Sequence, residues 1–156
     1  MKGLADFRLL WRNYIFQSLL ATLTVFIVLL FLSLEQAVII ASIGASAFIV
    51  FAMPESITAK PRNVIGGHMV GLLSGSLSAL LPHSFFLQSI LAYSLAVGIS
   101  TLIMVVIDVE HPPAAGTALG VAIKGLTLNS IIAVVTSALI LSLVYRLFKP
   151  FLKDLT

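Results

Sequence analysis

Residues 107–121 read IDVEHPPAAGTALGV and lie between two long hydrophobic stretches. They set two acids, a histidine and two adjacent prolines before a run of small residues, and so interrupt the apolar pattern. Pro112 and Pro113 lack a backbone donor and hold φ near about −65°. Because proline is well tolerated in the first turn of a helix, Pro113 is predicted to begin a short helix over Pro113–Ile123. The interruption therefore predicts a helix end in a hydrophobic setting.

The chain as a whole is too apolar for a soluble domain. Of its 156 residues, 60% are hydrophobic and 10% are charged, whereas a soluble domain carries about 25% charged residues. The net charge of +3 sits mainly near the ends of the chain, which suits membrane orientation and not nucleic-acid binding. With no cysteine, disulfides and thiolate metal sites are excluded. The composition predicts an integral membrane protein whose partner is the lipid bilayer.

Six hydrophobic segments follow one another in a repeated order. Four are long enough, or nearly so, to cross a bilayer, which takes roughly 20 apolar residues: Tyr14–Leu34, Val64–Leu81, Leu87–Ile107 and Thr127–Phe148. Two shorter ones, Ala37–Met53 and Pro113–Ile123, occupy matching places in two halves of the chain. The sequence predicts an all-α polytopic membrane helix bundle, with four long transmembrane helices, two shorter broken or half helices and a possible inverted repeat. The short segments can also be read as ordinary packing helices.

Basic residues predict how the bundle is oriented. They form three groups: Lys2, Arg8 and Arg12; Lys60 and Arg62; and Arg146, Lys149 and Lys153. If both short segments cross the membrane, all three groups are cytoplasmic and the halves run antiparallel. If both are re-entrant, the middle group lies outside. The positive-inside rule favours the crossing version, with both termini cytoplasmic in a bacterial inner (plasma) membrane.

These segments also define the predicted domains. Residues 1–13 are a cytoplasmic N-terminal segment, 14–148 a transmembrane domain with possible halves 14–81 and 85–148, and 149–156 a cytoplasmic tail. Gly67, Gly71 and Gly75 recur every four residues and form a small-residue face for close helix packing, which predicts a homo-oligomer.

His111-Pro112-Pro113, preceded by Glu110 and followed by AAGTAL, resembles the signature of the HPP family of integral membrane proteins. The stretches ASIGASAFIVFAMPES and KPRNVIGGHMVG also resemble that family, and the match runs from about Ile15 to Phe148. The resemblance implies a compact bundle of four spanning helices. It also implies, from some members, nitrite as a substrate.

The expected function is a transporter or channel for a small inorganic anion, with nitrite as the best candidate. The short helices, beginning near Ala41 and at Pro113, are expected to aim their N-termini at a shared point near mid-membrane. Each end has free N–H groups and about half a positive charge. The candidate substrate-binding residues are Ser42, Gly44, Ser46, His68, His111, Pro112, Pro113, Ala114, Ala115, Gly116, Thr117 and Lys124. Asp108, Glu110 and His111 are candidates for coupling or gating, although the two acids can equally cap the following helix.

No catalytic constellation, metal site or cofactor is predicted, so the chain is not expected to be an enzyme. Asp108, Glu110 and His111 are residue types that bind metals, but three of them in one short loop are weak evidence for a metal site, because anchored sites draw ligands from separate elements. Two alternatives stay open. One is a membrane scaffold or assembly subunit without transport, and the other is a small intramembrane enzyme.

Overall fold

The computed structural model describes residues 3–29 and 37–156, which form six α-helices. These are α1 (Gly3–Leu29), α2 (Ala37–Ala52), α3 (Pro61–Ala79), α4 (Phe86–Val106), α5 (Pro113–Lys124) and α6 (Leu128–Phe148). Short 3₁₀ helices follow α2 and α6, at Ile57–Ala59 and Lys149–Phe151. No strand occurs in these two ranges, so the predicted all-helical class is confirmed. The end of the predicted span Tyr14–Leu34 and the residue Lys2 lie outside the described residues.

Helix lengths separate long from short elements much as the sequence predicts. By length and hydropathy, two described stretches can cross a membrane, Phe86–Val106 and Leu128–Phe151. Of the four long membrane spans that the sequence predicts, these two are therefore confirmed. A shorter apolar helix covers Val38–Ala52. The 12 residues of α5 extend only about 18 Å at 1.5 Å per residue, so α5 is as short as predicted.

The bundle carries its apolar side chains outside and many polar ones inside. Leu73, Phe86 and Leu87 are 64%, 83% and 75% exposed, whereas Gln17 and His68 are buried. Contiguous exposed apolar surface on this scale would be unfavourable in water and is expected where lipid is the solvent. The distribution is that of a membrane-embedded bundle.

The N-terminal part, the α2–α3 connection and the C-terminal tail meet at one end of the bundle. The Leu155 N–H donates to the Ala52 carbonyl over 2.9 Å. The Tyr145 hydroxyl donates to the Pro54 carbonyl over 2.9 Å, and the Gln17 amide donates to the Lys153 carbonyl over 2.8 Å. The predicted basic groups are thus brought to the same end, as far as they are described. That this end is cytoplasmic stays a prediction.

Helix α3 runs alongside α5 in the same direction at very close range. A Cβ atom on Gly67 would lie 2.7 Å from His111, and one on Gly75 would lie 2.5 Å from the Ala118 carbonyl. Without the glycines the two backbones could not approach so closely. The small-residue face is therefore used within the chain, so it no longer supports the homo-oligomer, which stays a prediction.

Helix α2 packs against α5 in the opposite direction. A Cβ atom on Gly120 would lie 2.9 Å from Ile39, and one on Gly116 would lie 3.2 Å from Ser42. Residues later in α2 therefore contact residues earlier in α5. The first residues of α2 lie beside the C-terminal half of α5. The predicted meeting of two helix N-termini at a shared point is wrong, because antiparallel neighbours have their N-termini at opposite ends.

Candidate functional site

Five polar side chains meet where α2, α3 and the start of α5 pack together. They are joined by hydrogen bonds into one group, which we term the histidine–serine cluster: Ser42, Ser46, His68, His111 and Thr117. Ser46, His68, His111 and Thr117 are 0% exposed and Ser42 is 5% exposed. Buried polar groups are stable only when hydrogen-bonded, so the cluster is held together by its own contacts.

Ser46 is the centre of the cluster. Its hydroxyl oxygen lies 2.8 Å from Nε2 of His111 and 3.0 Å from Nε2 of His68. The two imidazole rings are tilted by 59° with centroids 5.1 Å apart. One serine hydroxyl therefore bridges two buried histidines that come from different parts of the chain.

Hydroxyl groups extend the cluster beyond His68. Nδ1 of His68 lies 2.9 Å from the Thr117 hydroxyl, and that hydroxyl lies 3.0 Å from the Ser42 hydroxyl. Ser42 in turn donates to the Pro113 carbonyl. Ser42 and Ser46 are four residues apart and so share one face of α2. The close α3–α5 packing brings Thr117 within reach of His68.

His111 is oriented by a backbone group that the sequence analysis did not single out. Its Nδ1 lies 2.8 Å from the carbonyl of Thr58, in the 3₁₀ helix after α2. A carbonyl only accepts, so Nδ1 of His111 carries a hydrogen. In a neutral His111, Nε2 is then an acceptor and must receive the hydroxyl hydrogen of Ser46. No side-chain signal marks Thr58, because only its carbonyl takes part.

The loop before α5 is anchored by polar residues of α3. The Asn63 amide donates to the Glu110 carbonyl over 3.1 Å, and Arg62 donates to the Ile107 carbonyl over 3.2 Å. Asp108 has a positive φ of 63° and lies 3.8 Å from the Arg62 guanidinium, with both side chains largely exposed. The structure thus places Asp108 at the exposed end and outside the cluster. The Glu110 Oε2 atom is buried and has no hydrogen-bond partner among the residues that the structure describes.

The start of α5 does not offer the predicted free N–H groups. The Ala114 N–H donates to the His111 carbonyl over 2.8 Å, and the Ala115 N–H donates to the Pro112 carbonyl over 3.1 Å. A Cβ atom on Gly116 would lie 3.2 Å from Ser42, and the residue is half-buried. Pro112 is exposed and Ala114 is fully buried. The prediction of an anion site on the amides of Ala114 and Ala115 is wrong, because local backbone hydrogen bonds occupy both of them.

Two further predicted residues lie away from the cluster. Gly44 is exposed and lines an apolar groove of about 520 Å³ between α1 and α2. Residues two apart on a helix point to nearly opposite sides, so Gly44 faces away from Ser42 and Ser46. Lys124 is the exposed last residue of α5, about 10 Å along the helix from Thr117. Neither residue contributes to the cluster.

Within the described ranges, no group of three His, Cys, Asp or Glu side chains is arranged to hold a metal ion. The cavities found between α1, α2 and the C-terminal tail are lined by other residues, and none of them includes a member of the cluster. The side chains of the cluster are at most 5% exposed, so the cluster is closed to solvent in this conformation.

An all-helical bundle with an apolar exterior and a polar, histidine-containing interior is an integral membrane protein. The chain matches the family described as HPP, transmembrane region, over residues 7–154, and it belongs to that family. The resemblance seen in the sequence is thus confirmed.

Two relatives are transmembrane proteins of Dictyostelium discoideum. One is 36% identical over 88 residues, 56% of this chain and 31% of the relative. The other is 34% identical over 85 residues, 54% of this chain and 27% of the relative. The aligned part is less than a third of either relative. No solved structure matches the chain.

Proposed function

We propose that this protein transports a small inorganic anion across the membrane, with nitrite as the first candidate. The observation that carries the proposal is the bridge from His68 through Ser46 to His111 inside the bundle. Ionisable side chains at membrane depth are costly, and in membrane proteins they mark substrate, ion or proton pathways. The hydroxyl and imidazole groups of the cluster supply donors of the kind that a small oxyanion needs.

The packing of the helices supports an inverted repeat, with α1–α3 as one half and α4–α6 as the other. The contacts of one half have counterparts in the other. The α1–α2 contact corresponds to the α4–α5 contact, the α3–α5 contact to α6–α2, and the α3–α4 contact to α6–α1. Helices α2 and α5 also contact each other. Inverted-repeat transporters bind substrate at the interface of the repeats. The cluster lies between α2 and α5, where that interface runs.

Two buried serines mark a route along α3 beyond the cluster. Among the described residues, the hydroxyls of Ser74 and Ser78 have no hydrogen-bond partner, whereas nearby Ser76 donates to the Leu72 carbonyl over 2.6 Å. Ser74 and Ser78 lie about 9 Å and 15 Å along the helix from His68, at 1.5 Å per residue. Both hydroxyls are available to an anion or its water as it passes.

Anion flux into proteoliposomes tests the proposal. Proteoliposomes that contain the purified protein should take up nitrite down its concentration gradient. Other small oxyanions should compete with nitrite for uptake, and alkali cations should not. Ser46→Ala and His68→Gln should each reduce flux about tenfold or more, since each leaves a buried group unpaired. His83→Gln is the matched control, because His83 stacks on Tyr93 in the connection to α4, outside the cluster. Folded protein without flux for any anion in the panel would refute the proposal.

A second candidate, a small intramembrane hydrolase, is favoured by the same central contact. Ser46 lies within hydrogen-bond reach of two imidazoles, as a nucleophile lies beside its base. A fluorophosphonate probe distinguishes the two functions. Labelling of the wild-type chain that is lost in Ser46→Ala would establish a hydrolase. If the probe does not label the chain and the protein supports anion flux, the transporter is favoured. If neither labelling nor flux is seen, the remaining alternative is a membrane scaffold or assembly subunit without transport.

A further inference from the structure

We propose that a groove at the basic end of the bundle binds an anionic phospholipid, with the lipid phosphate on two cations and an acyl chain along the aromatic side chains beside them. The proposal does not depend on which solute the protein moves. The groove lies between α1, the end of α6 and the C-terminal tail, and its volume of about 600 Å³ falls within the range of about 300–1,000 Å³ for ligand sites. The residues that carry the argument are Arg12, Asn13, Phe16, Phe148, Phe151 and Lys153.

The groove is positively charged. Arg12 and Lys153 line it, and no acidic side chain whose position is described does so. Neither cation forms an ion pair with a described residue, whereas Lys149 at the end of α6 lies 2.8 Å from the Glu55 carboxylate. The carboxylate of Asp154 accepts hydrogen bonds from within the tail. Two cations are therefore left to complement an anionic group.

The tail is bonded to α1 at the point where it supplies its cation. The Gln17 amide donates to the Lys153 carbonyl over 2.8 Å and accepts from the Lys153 N–H over 3.1 Å. The Asn13 amide donates to the Phe151 carbonyl over 3.4 Å. Because both backbone groups of Lys153 are bound by a buried residue of α1, its side chain starts from a fixed position beside α1. The groove is thus defined by the fold.

One face of α1 presents the chemistry of a phospholipid in order. Arg12, Phe16, Leu19 and Leu23 follow one another at spacings of three or four residues, so they lie on one face of the helix. The last three are exposed. From Arg12 to Leu23 the face changes from cationic to aromatic to aliphatic over about 16 Å, at 1.5 Å per residue. The headgroup, interface and acyl-chain regions of a bilayer follow in the same order.

Aromatic side chains place the groove at the depth of the headgroups. The rings of Phe16 on α1 and Phe148 on α6 are tilted by 55° with centroids 6.1 Å apart, and so join the two helices beside the cations. The Arg12 guanidinium carbon lies 5.5 Å from the ring centroid of Trp11, which is exposed, and tryptophan is enriched at the membrane–water interface.

The position of the groove favours a lipid over a soluble acidic peptide. The face of α1 that continues from the groove is apolar and exposed, and in a membrane protein such a face is in contact with lipid. Basic pockets between membrane helices bind anionic headgroups. A phospholipid satisfies the cations and the apolar face with one molecule, whereas a peptide would have to displace lipid from the helix.

Lipid retention by the purified protein tests the proposal. Protein in detergent is mixed with equal amounts of phosphatidylglycerol and phosphatidylcholine, and bound lipid is measured by native mass spectrometry. Phosphatidylglycerol should bind in preference, and Arg12→Gln/Lys153→Gln should lower its affinity about fivefold for each cation removed. Lys60→Gln/Lys124→Gln removes the same charge from exposed positions outside the groove and should leave the affinity unchanged. Equal binding of the two lipids, or equal losses in the two double variants, would overturn the proposal.

Photo-crosslinking locates the lipid in the wild-type chain and so does not depend on the folding of any variant. Nanodiscs of phosphatidylcholine should contain a phosphatidylglycerol with a diazirine in its acyl chain. Peptides with Phe16 or Phe148 should be labelled, and excess phosphatidylglycerol should suppress that labelling where phosphatidylcholine does not. Equal labelling of the exposed face of α4, with the same response to both lipids, would contradict the proposal.

Inorganic phosphate distinguishes a lipid from a free anion at the same cations. A ligand that binds only the folded protein raises its unfolding midpoint, so phosphatidylglycerol added to protein in detergent should raise the midpoint and inorganic phosphate should not. Equal stabilisation by both would assign the groove to a soluble anion and refute the lipid site.

Discussion

Gly71 on α3 lies against the backbone of Ala114 on α5, so closely that a Cβ atom at Gly71 would be 2.5 Å from the Ala114 carbonyl oxygen. One turn further along, a Cβ atom at Gly75 would likewise be 2.5 Å from the Ala118 carbonyl oxygen. The missing side chains set the distance between the two helices. That distance allows His68 to reach Thr117, so the packing of α3 on α5 and the geometry of the cluster depend on each other.

Replacing Gly71 by alanine should destabilise the bundle. The new methyl group would meet a backbone carbonyl, which cannot rotate away, and overpacking of this kind costs about 1–3 kcal/mol. Gly98→Ala on α4 is the matched control, since nothing lies within 4 Å of its Cβ position, and alanine improves helix propensity by up to about 1 kcal/mol. Thermal unfolding in detergent should therefore show a lower midpoint for Gly71→Ala only. Equal midpoints would disprove the tight α3–α5 contact.

The gathering of the basic groups at one end predicts a simple labelling pattern. Cysteine at position 60, in the α2–α3 connection, and cysteine at position 126, between α5 and α6, both replace exposed residues. If the basic end is cytoplasmic, an impermeant thiol reagent added to intact cells should label position 126 and spare position 60. Permeabilised cells, in which both should react, provide the control. Labelling of position 60 alone would reverse the orientation, and labelling of both from outside would contradict the six-crossing arrangement.

Gln17 should matter for the attachment of the C-terminal tail to the helices. Its buried amide donates to the carbonyls of Phe51 and Lys153 and accepts from the Lys153 N–H. Gln17→Met keeps the length of the side chain and removes these bonds, which should cost about 1–3 kcal/mol of unfolding free energy. The tail should also become easier to cleave by a protease. Gln88→Met is the comparison, because the Gln88 side-chain oxygen has no hydrogen-bond partner in residues 3–29 and 37–156. Similar losses in both variants would argue against a specific role for Gln17.

The two unpartnered serines of α3 should contribute to flux and little to stability. Ser74→Ala and Ser78→Ala remove hydroxyls that make no hydrogen bond within the part of the chain that the structure describes, so replacing them should leave the unfolding midpoint unchanged or raise it. If anions pass along α3, nitrite flux in proteoliposomes should fall in both variants. Ser76→Ala, which removes a hydroxyl bonded only to the Leu72 carbonyl, should leave flux unchanged. A Ser76 effect equal to the other two would place the route elsewhere.

Several parts of the site could be predicted from the sequence because they depend on local rules. His68 and His111 are conspicuous as ionisable residues in apolar surroundings. Ser42 and Ser46 lie four residues apart, which is enough to place them on one helix face. The same rule contains a signal that the sequence analysis missed, since Gly44 lies between them and must face the other way. Lys124, a full two turns beyond Thr117, could also have been excluded by helix length.

The rest depends on which helices are neighbours and in which direction they run. Ser46 is 22 residues from His68 and 65 from His111, and no periodicity connects such distant positions. The predicted anion site at two helix N-termini was wrong for the same reason, because it assumed that α2 and α5 approach end to end. They pack side by side in opposite directions.

The sequence alone determined that this is an all-helical membrane protein of the HPP type, with one very short helix after the two prolines. Composition, segment length and proline chemistry act locally or as sums over the chain, so they can be read without coordinates. Only the tertiary structure decided that one serine hydroxyl joins two buried histidines and that the amides at the start of α5 are already occupied. Hydrogen bonds act over about 3 Å, and contacts of that range between distant residues exist only once the helices have packed.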